Sequence, residues 1–392
     1  MSRRPRIYLD NAATSWPKPE SVYAAVDRCQ RELGAAAGRG GYAEAVAIDE
    51  GILAARKAVA SLIGAEHPSR VVFTANGTDS LNLALHGLLR PGDHVVTTVA
   101  EHNSVLRPLR FLEGHRQINV TRVRSDKSGW VNPDDVQAAM RSKTRLVVVT
   151  HASNVTGAIQ PIAQLTEIAK RNEALFLLDA AQTLGHLEVR VDQLPVDLLA
   201  APGHKGLLGP LGTGVLYIRP GVESHLLCTR QGGTGTRSEE DSQPQSLPDK
   251  YESGNHNCPA LFGLRQGIEF VEKRDLSALR QHEMELTEHL LAGLADIQEV
   301  TVHGPRDASR QVGVISVTLK GYDPQELAAT LDAGYRIQVR SGFHCAPLMH
   351  QALGTAAAGG TVRFSVGALN TIEQITDTLT AVREIATAAL PH

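Results

Sequence analysis

The sequence predicts an α/β protein: a large unit built on a mostly parallel or mixed sheet, followed by a smaller α+β unit. Three observations carry this. Between Arg70 and Ile218, short β-branched runs alternate with longer helical patterns, the order expected of parallel strands crossed by helices. The strand candidates are almost continuously apolar, which implies cover on both faces. Near residue 260 the order changes to long helical patterns followed by strand runs.

Taken along the chain, helical segments over Lys18 to Leu33 and Glu44 to Ile63 precede the alternating region. The strand candidates are Arg70 to Thr74, His94 to Thr98, Asn119 to Val123, Leu146 to Thr150, Leu175 to Asp179 and Gly214 to Ile218. Helices are expected over Thr78 to Leu89, Asn132 to Met140 and Pro161 to Asn172; Pro133 suits a first helical position and Asn132 can cap the free donors before it. Gly232 to Asp249 has almost no apolar residue and reads as a surface loop. Helical patterns follow over Pro259 to Val271 and Leu276 to Leu294, then strand runs at Val300 to Val302, Val312 to Leu319 and Ile337 to Arg340. A helix begins at Asp323 and Pro324, and Thr371 to Ala388 supplies the last.

At 392 residues the chain can bury a large core, and its formal charge of −3 removes a general drive toward nucleic acid or anionic membrane. The four cysteines, Cys29, Cys228, Cys258 and Cys345, are dispersed without a CxxC pair, so neither a disulfide scaffold nor a thiolate metal site is indicated. The basic N-terminus lacks a following apolar region and no stretch is long enough to span a bilayer, so a cytoplasmic location is expected.

Chemistry can be placed at several points. Asp179 ends the run LFLLD, and open parallel sheets bind ligands outside the carboxyl ends of their strands; a helix cap or local salt bridge is the competing reading. His151, Ser153 and Asn154 leave a second strand in the same way. Gly77 and Thr78 open a helix whose free N–H groups can surround a phosphate, though an ordinary capped helix has the same pattern. Lys205 sits among glycines in GHKGLLGP, where a restrained, partly desolvated amine can form a Schiff base; most isolated lysines are solvated charges. A lysine for an aldehyde, an acid for a ring nitrogen and backbone donors for a phosphate together suggest pyridoxal phosphate. Cys345 lies beside His344 in RSGFHCAPLMH, with Arg340 near enough to favour thiolate, although a random cysteine is more often a small buried hydrophobe. Arg363, in GGTVRFSVG, can receive a carboxylate in two parallel bonds or join an internal salt bridge.

The ordered segments LDNAAT, NGTDSLN, AEHNSV, SNVTGAIQP, LLDAAQTLG, GHKGLLGP, GFHCAPL and TVRFSVGALNT resemble the cysteine desulfurase family, with its class V aminotransferase fold, from about Tyr8 to Ala388. The resemblance implies a pyridoxal-phosphate-dependent, aspartate-aminotransferase-like fold. It divides the chain into an N-terminal segment over 1–17 associated with the small domain, a large cofactor domain over 18–260 and a small domain over 261–392 carrying the cysteine loop. It also implies that Lys205 holds pyridoxal 5'-phosphate, Asp179 pairs with its ring nitrogen and His102 stacks on the ring. Asn154 and Gln182 lie near its phenolic oxygen or the bound amino acid, with Gly77, Thr78 and His204 at the phosphate. Arg363, assisted by Arg340, takes the substrate carboxylate, and Cys345 is the nucleophile.

The implied activity converts L-cysteine to L-alanine and leaves a persulfide on Cys345 for a sulfur-acceptor protein. Alternatives are a selenocysteine lyase acting on L-selenocysteine, another carbon–sulfur lyase, or a noncatalytic sulfur-trafficking scaffold. The family resemblance also implies a homodimer. Two departures stand out. Pro202 replaces a phosphate-binding hydroxyl, and Asn255 and His256 stand where relatives commonly carry Thr and a small or apolar residue; Asn255 is expected to reach the neighbouring subunit's phosphate.

Overall fold

A computed structural model describes residues 5–38 and 40–388; the outer ends of the expected N-terminal segment and small domain, residues 1–4 and 389–392, lie outside the described residues. The seven-stranded sheet contains β2 (Val71–Thr74), β3 (His94–Thr98), β4 (Asn119–Val123), β5 (Thr144–Thr150), β6 (Leu175–Asp179), β7 (Leu198–Pro202) and β8 (Gly214–Ile218). Its order is β2-β8-β7-β6-β5-β3-β4, and β8 alone runs antiparallel to its neighbours. The sheet is therefore mixed, with the carboxyl ends of the other six strands on one edge.

Alternation along the strands separates two cores. In β5, Val147 and Val149 join a cluster with Ile48, Ile52 and Val59 of α2 (Ala43–Ile63), Leu165 of α6 (Ile162–Arg171) and Leu264 of α7 (Cys258–Arg274). Leu146 and Val148 face the other way, onto Leu81 and Leu85 of α3 (Gly77–Leu88) and Leu109 of α4 (Asn103–Arg116). Period-two alternation with both faces covered is why these strands read as unbroken apolar runs. The helix before this region is Glu20–Arg28 (α1), continued by a π turn over Cys29–Leu33, and α1 packs on α7. Leu261, Leu264 and Ile268 of α7, just past the expected boundary at residue 260, are buried in the large-sheet core.

The second sheet is antiparallel, in the order β12 (Arg340–Gly342), β13 (Thr361–Ser365), β10 (Val314–Leu319) and β9 (Val300–His303). It is covered by α8 (Leu276–Ala295), α9 (Pro324–Tyr335) and α11 (Ile372–Ala388), with Leu286, Leu331 and Leu379 in one buried cluster. The expected strand Ile337 to Arg340 is divided. Ile337–Gln338 (β11) pairs in parallel with Ile7–Tyr8 (β1), and the chain turns into β12 on the other sheet. Ile7 and Leu9 share the buried cluster of the second sheet. Among the described residues, no helix is long and apolar enough to cross a membrane.

Candidate active site

The site grows from the carboxyl edge of the large sheet. Asp179 is the last residue of β6 and is buried; the Ala181 N–H donates to its Oδ1 at 3.0 Å. Burial raises the Asp179 pKa, against the pull of that N–H and of the Lys205 charge. Lys205 follows β7 in a glycine-lined turn. A Cβ on Gly206 would lie 2.4 Å from Leu184 O, and one on Gly185, whose φ is +91°, would lie 2.3 Å from the Gly206 carbonyl carbon. The two backbones can approach only because both residues are glycine. Burial lowers the Lys205 pKa to about 8; the Arg363 and Arg340 charges act in the same direction and Asp179 opposes them.

Two helix starts meet opposite this amine. At α3, Asn76 caps the helix by accepting the Asp79 N–H at 2.9 Å, leaving the first-turn N–H groups of Gly77 and Thr78 without intrahelical acceptors. At α4, His102 is the cap: its Nδ1 accepts the Ser104 N–H at 3.0 Å. Ser104 Oγ lies 2.8 Å from that Nδ1 and 2.7 Å from Thr78 Oγ1, so one hydroxyl bridges the two helices. Burial lowers the His102 pKa to about 4, aided by the charges of Lys205, Arg340, Arg363 and Arg107.

The second sheet closes the cavity. Arg363, buried in β13, donates to Asp10 Oδ1 at 2.6 Å and to the Asn154 carbonyl at 3.1 Å, while its Nε has no partner among the described residues. The expected choice between carboxylate receptor and internal salt bridge thus begins, in this state, as a salt bridge. Arg340 Nη2 donates to Cys345 Sγ at 3.3 Å. Asn154 Nδ2 donates to the His344 carbonyl and Gln182 Nε2 to Ala12 O, the latter at 3.1 Å.

Ten of the twelve expected site residues line one cavity of about 200 Å³. Gly77, Thr78, His102, Asn154 and Asp179 are among them, with Gln182, His204, Lys205, Arg340 and Arg363. Cys345 is outside that lining, joined to it through Arg340. Asn255 is not brought into the cavity of its own chain; it lines a separate depression with Arg56, Glu252 and His256. Pro202 lies in the wall, where its Cδ would be 3.1 Å from a Cβ on Gly77.

Sequence reasoning passed over three residues here. Asp10, in the quoted LDNAAT, is the partner of Arg363. Ser104, in AEHNSV, links Thr78 to His102. Glu101 is fully buried, accepts from Thr98 Oγ1 at 2.7 Å and the Thr150 N–H at 3.1 Å, and has its pKa raised to about 8 by burial. All three sit in quoted motifs, but their partners come from elsewhere in the fold.

This fold, and a cavity bounded by a buried amine, a carboxylate and free helix amides at a sheet edge, define the aminotransferase class-V family; the family profile matches residues 7–377 and the chain belongs to it. Within that class it belongs with the cysteine desulfurases. It is 37% identical over 377 residues to a probable cysteine desulfurase of Methanothermobacter thermautotrophicus, spanning 95% of this chain and 92% of that protein. A probable cysteine desulfurase of Pyrococcus abyssi is 34% identical, over 97% and 94% of the two chains. The apo structure of a cysteine desulfurase from Thermococcus onnurineus superposes with a TM-score of 0.91 at 34% identity, covering 99% of each chain. The Escherichia coli cysteine desulfurase CsdA gives 0.88 at 26% identity, covering 98% of this chain and 96% of that one.

Fold and family imply a pyridoxal phosphate site, and the donor set present fits that group. A desolvated amine and a buried carboxylate line the same cavity, together with two first-turn helix amides. The His204 Nδ1 beside them is buried without a partner among the described residues.

Proposed function

We propose that the protein is a pyridoxal-phosphate-dependent cysteine desulfurase that converts L-cysteine to L-alanine and carries the released sulfur as a persulfide on Cys345. The observation that carries this reading is the sharing of one cavity by Lys205, Asp179 and Arg363, with Arg340 in its wall bonded to Cys345 Sγ at 3.3 Å. A plain amino-group transferase has no use for that thiol.

Pyridoxal 5'-phosphate, when bound, supplies an electron-withdrawing ring that takes up the charge left when a bond to the α-carbon breaks. Lys205 Nζ would hold its aldehyde, Asp179 would keep its ring nitrogen protonated, and His102 would flank the ring. The N–H groups of Gly77 and Thr78, with His204, would hold the phosphate. Asn154 and Gln182 would orient the phenolic side. With Pro202 unable to donate from side chain or backbone, Asn255 of a second subunit is the proposed supplement, which makes the working form a homodimer.

Arg363 would receive the substrate carboxylate with Arg340 beside it; Asp10 must then yield or share the guanidinium it holds at 2.6 Å. Lys205 Nζ removes the α-proton, a task for which an amine with a pKa near 8 is suited at neutral pH. Arg340 Nη2 donates to Cys345 Sγ at 3.3 Å and holds that sulfur beside the cavity, where it reacts as the thiolate. The thiolate attacks the substrate sulfur: one sulfur–sulfur bond forms, the substrate's carbon–sulfur bond breaks, and the electron pair stays with the three-carbon fragment, which takes up protons and leaves as alanine. A sulfur-acceptor protein then removes the outer sulfur.

The test is incubation of holoenzyme with L-cysteine and measurement of alanine and protein-bound persulfide. Cys345→Ser is expected to form no persulfide and lose at least about 100-fold in alanine production, whereas unchanged turnover in that variant rejects the proposal.

A further inference from the structure

We propose that Ser104 is a positioning residue that holds His102 as the neutral tautomer protonated on Nε2, with the Thr78 hydroxyl completing the same chain. The inference rests on the cavity assignment of His102 made above and deepens it.

The direction of each hydrogen bond follows from which groups can only donate. A backbone N–H has no acceptor capacity, so the Ser104 N–H at 3.0 Å from His102 Nδ1 requires that nitrogen to present its lone pair. With no proton on Nδ1, Ser104 Oγ at 2.8 Å from it must be a second donor. The Ser104 oxygen then accepts from Thr78, whose Oγ1 is 2.7 Å away. The chain therefore runs from Thr78 O–H to Ser104 O–H to His102 Nδ1, and the single ring proton of neutral His102 sits on Nε2. That nitrogen makes no hydrogen bond among the described residues, and His102 lines the cavity. Ser104 is buried, so water does not compete for the arrangement.

Two consequences follow for the reaction. His102 enters it as an N–H donor toward the cavity, and two donors on Nδ1 oppose its protonation. The surrounding Lys205, Arg340, Arg363 and Arg107 charges act in the same direction. The Thr78 hydroxyl, having given its proton to Ser104, offers the phosphate only its backbone N–H. The helix start that would face the phosphate and the imidazole that would flank the ring are thereby one hydrogen-bonded unit.

Nitrogen-15 NMR of holoenzyme with labelled histidine rings tests this, the His102 signals being assigned by their loss in His102→Gln. The expected result at neutral pH is a proton on Nε2 and none on Nδ1. In Ser104→Ala the His102 titration midpoint should move upward by about tenfold in proton concentration, the acid limb of kcat should follow it, and KM for L-cysteine should change less than about twofold. Ser104→Thr, which keeps the hydroxyl, should restore the wild-type titration. A proton on Nδ1 in the wild type, or identical titration in wild type and Ser104→Ala, overturns the proposal. Because the ring signals do not depend on turnover, the expected pattern in a protein inactive toward L-cysteine would uphold Ser104's role while rejecting the desulfurase reading.

Discussion

Cys345 and the residue before it have φ values of +61° and +47°, a region that disfavours residues with a Cβ by about 1 kcal/mol each. The turn persists because its carbonyls are held: the Asn103 N–H donates to Cys345 O at 2.7 Å, Asn154 donates to His344 O, and the Ala346 N–H closes the turn on Phe343 O at 2.9 Å. Composition made the polar cysteine loop legible in the sequence, but the clamps from Asn103 and Asn154 join positions far apart in the chain and could not be read there. Lys205 is a second case. Its glycine surroundings were visible, while the depression of its pKa to about 8 depends on burial and on Arg363 from the other sheet. An amine with this pKa is mostly protonated at pH 7 and mostly neutral above pH 8. The rate at which apoprotein captures pyridoxal 5'-phosphate should therefore rise from pH 7 and level off above about 8. A stopped-flow absorbance series reads this, and a rate still climbing toward pH 10 would mark an ordinary lysine.

At the scale of elements, the missed pieces have identifiable causes. The strand β7 is LLAAP, without a β-branched residue, and is a strand because it lies between β6 and β8 in the sheet interior. The helix α4 contains Pro108 and carries a polar face, which hid its period; its start is secured by the His102 cap. The periodic α2, the β-branched β5 and the continuously apolar β6 were legible because their apolar pattern alone requires burial. Long-range polar fasteners were not. Arg56 of α2 donates to both oxygens of Glu252 at 2.6 and 2.7 Å and to Val71 O at 2.6 Å, while the Phe73 N–H donates to Glu252 at 2.6 Å. The pair is buried and ties α2, β2 and the segment before α7 together. Glu252→Ala leaves the Arg56 guanidinium with only the Val71 carbonyl and the Phe73 N–H with no acceptor, and should destabilise the fold by about 3–5 kcal/mol, measured by urea unfolding. A loss below about 1 kcal/mol would mean that the pair is not buried in solution.

For the whole molecule, acid sensitivity is built into the interior. His94, His102, His151, His204 and His350 have pKa values lowered to about 4 and His344 to about 2, in each case chiefly by burial. The unfolded chain, with histidine near the ordinary value of about 6.5, binds more protons below that pH than the folded chain does. Stability is accordingly unaffected by these groups above about pH 6.5 and falls as the pH drops toward 4. Glu101, raised to about 8, acts in the opposite sense between the ordinary glutamate value and 8, as do the raised carboxyls of Asp179, Asp197 and Glu272 above their ordinary values, four groups against eight histidines once His86 and His303, also lowered, are counted. The urea midpoint should be lower at pH 5 than at pH 7; equal midpoints would refute the buried neutral histidines. The order of the large sheet's elements and the change of pattern after it were legible in local periodicity, whereas the closure of the molecule by its first residues was not. Asn11 donates to Ser365 O across 354 positions at 3.0 Å, β1 pairs with β11, and Thr14 and Ser15 donate to His204 O at 3.1 Å. During synthesis, then, the stretch around Asn11 must wait for partners translated 354 residues later. A nascent or prematurely stopped polypeptide, whatever its large sheet has achieved, lacks the tie that brings the two halves of the sulfur chemistry together.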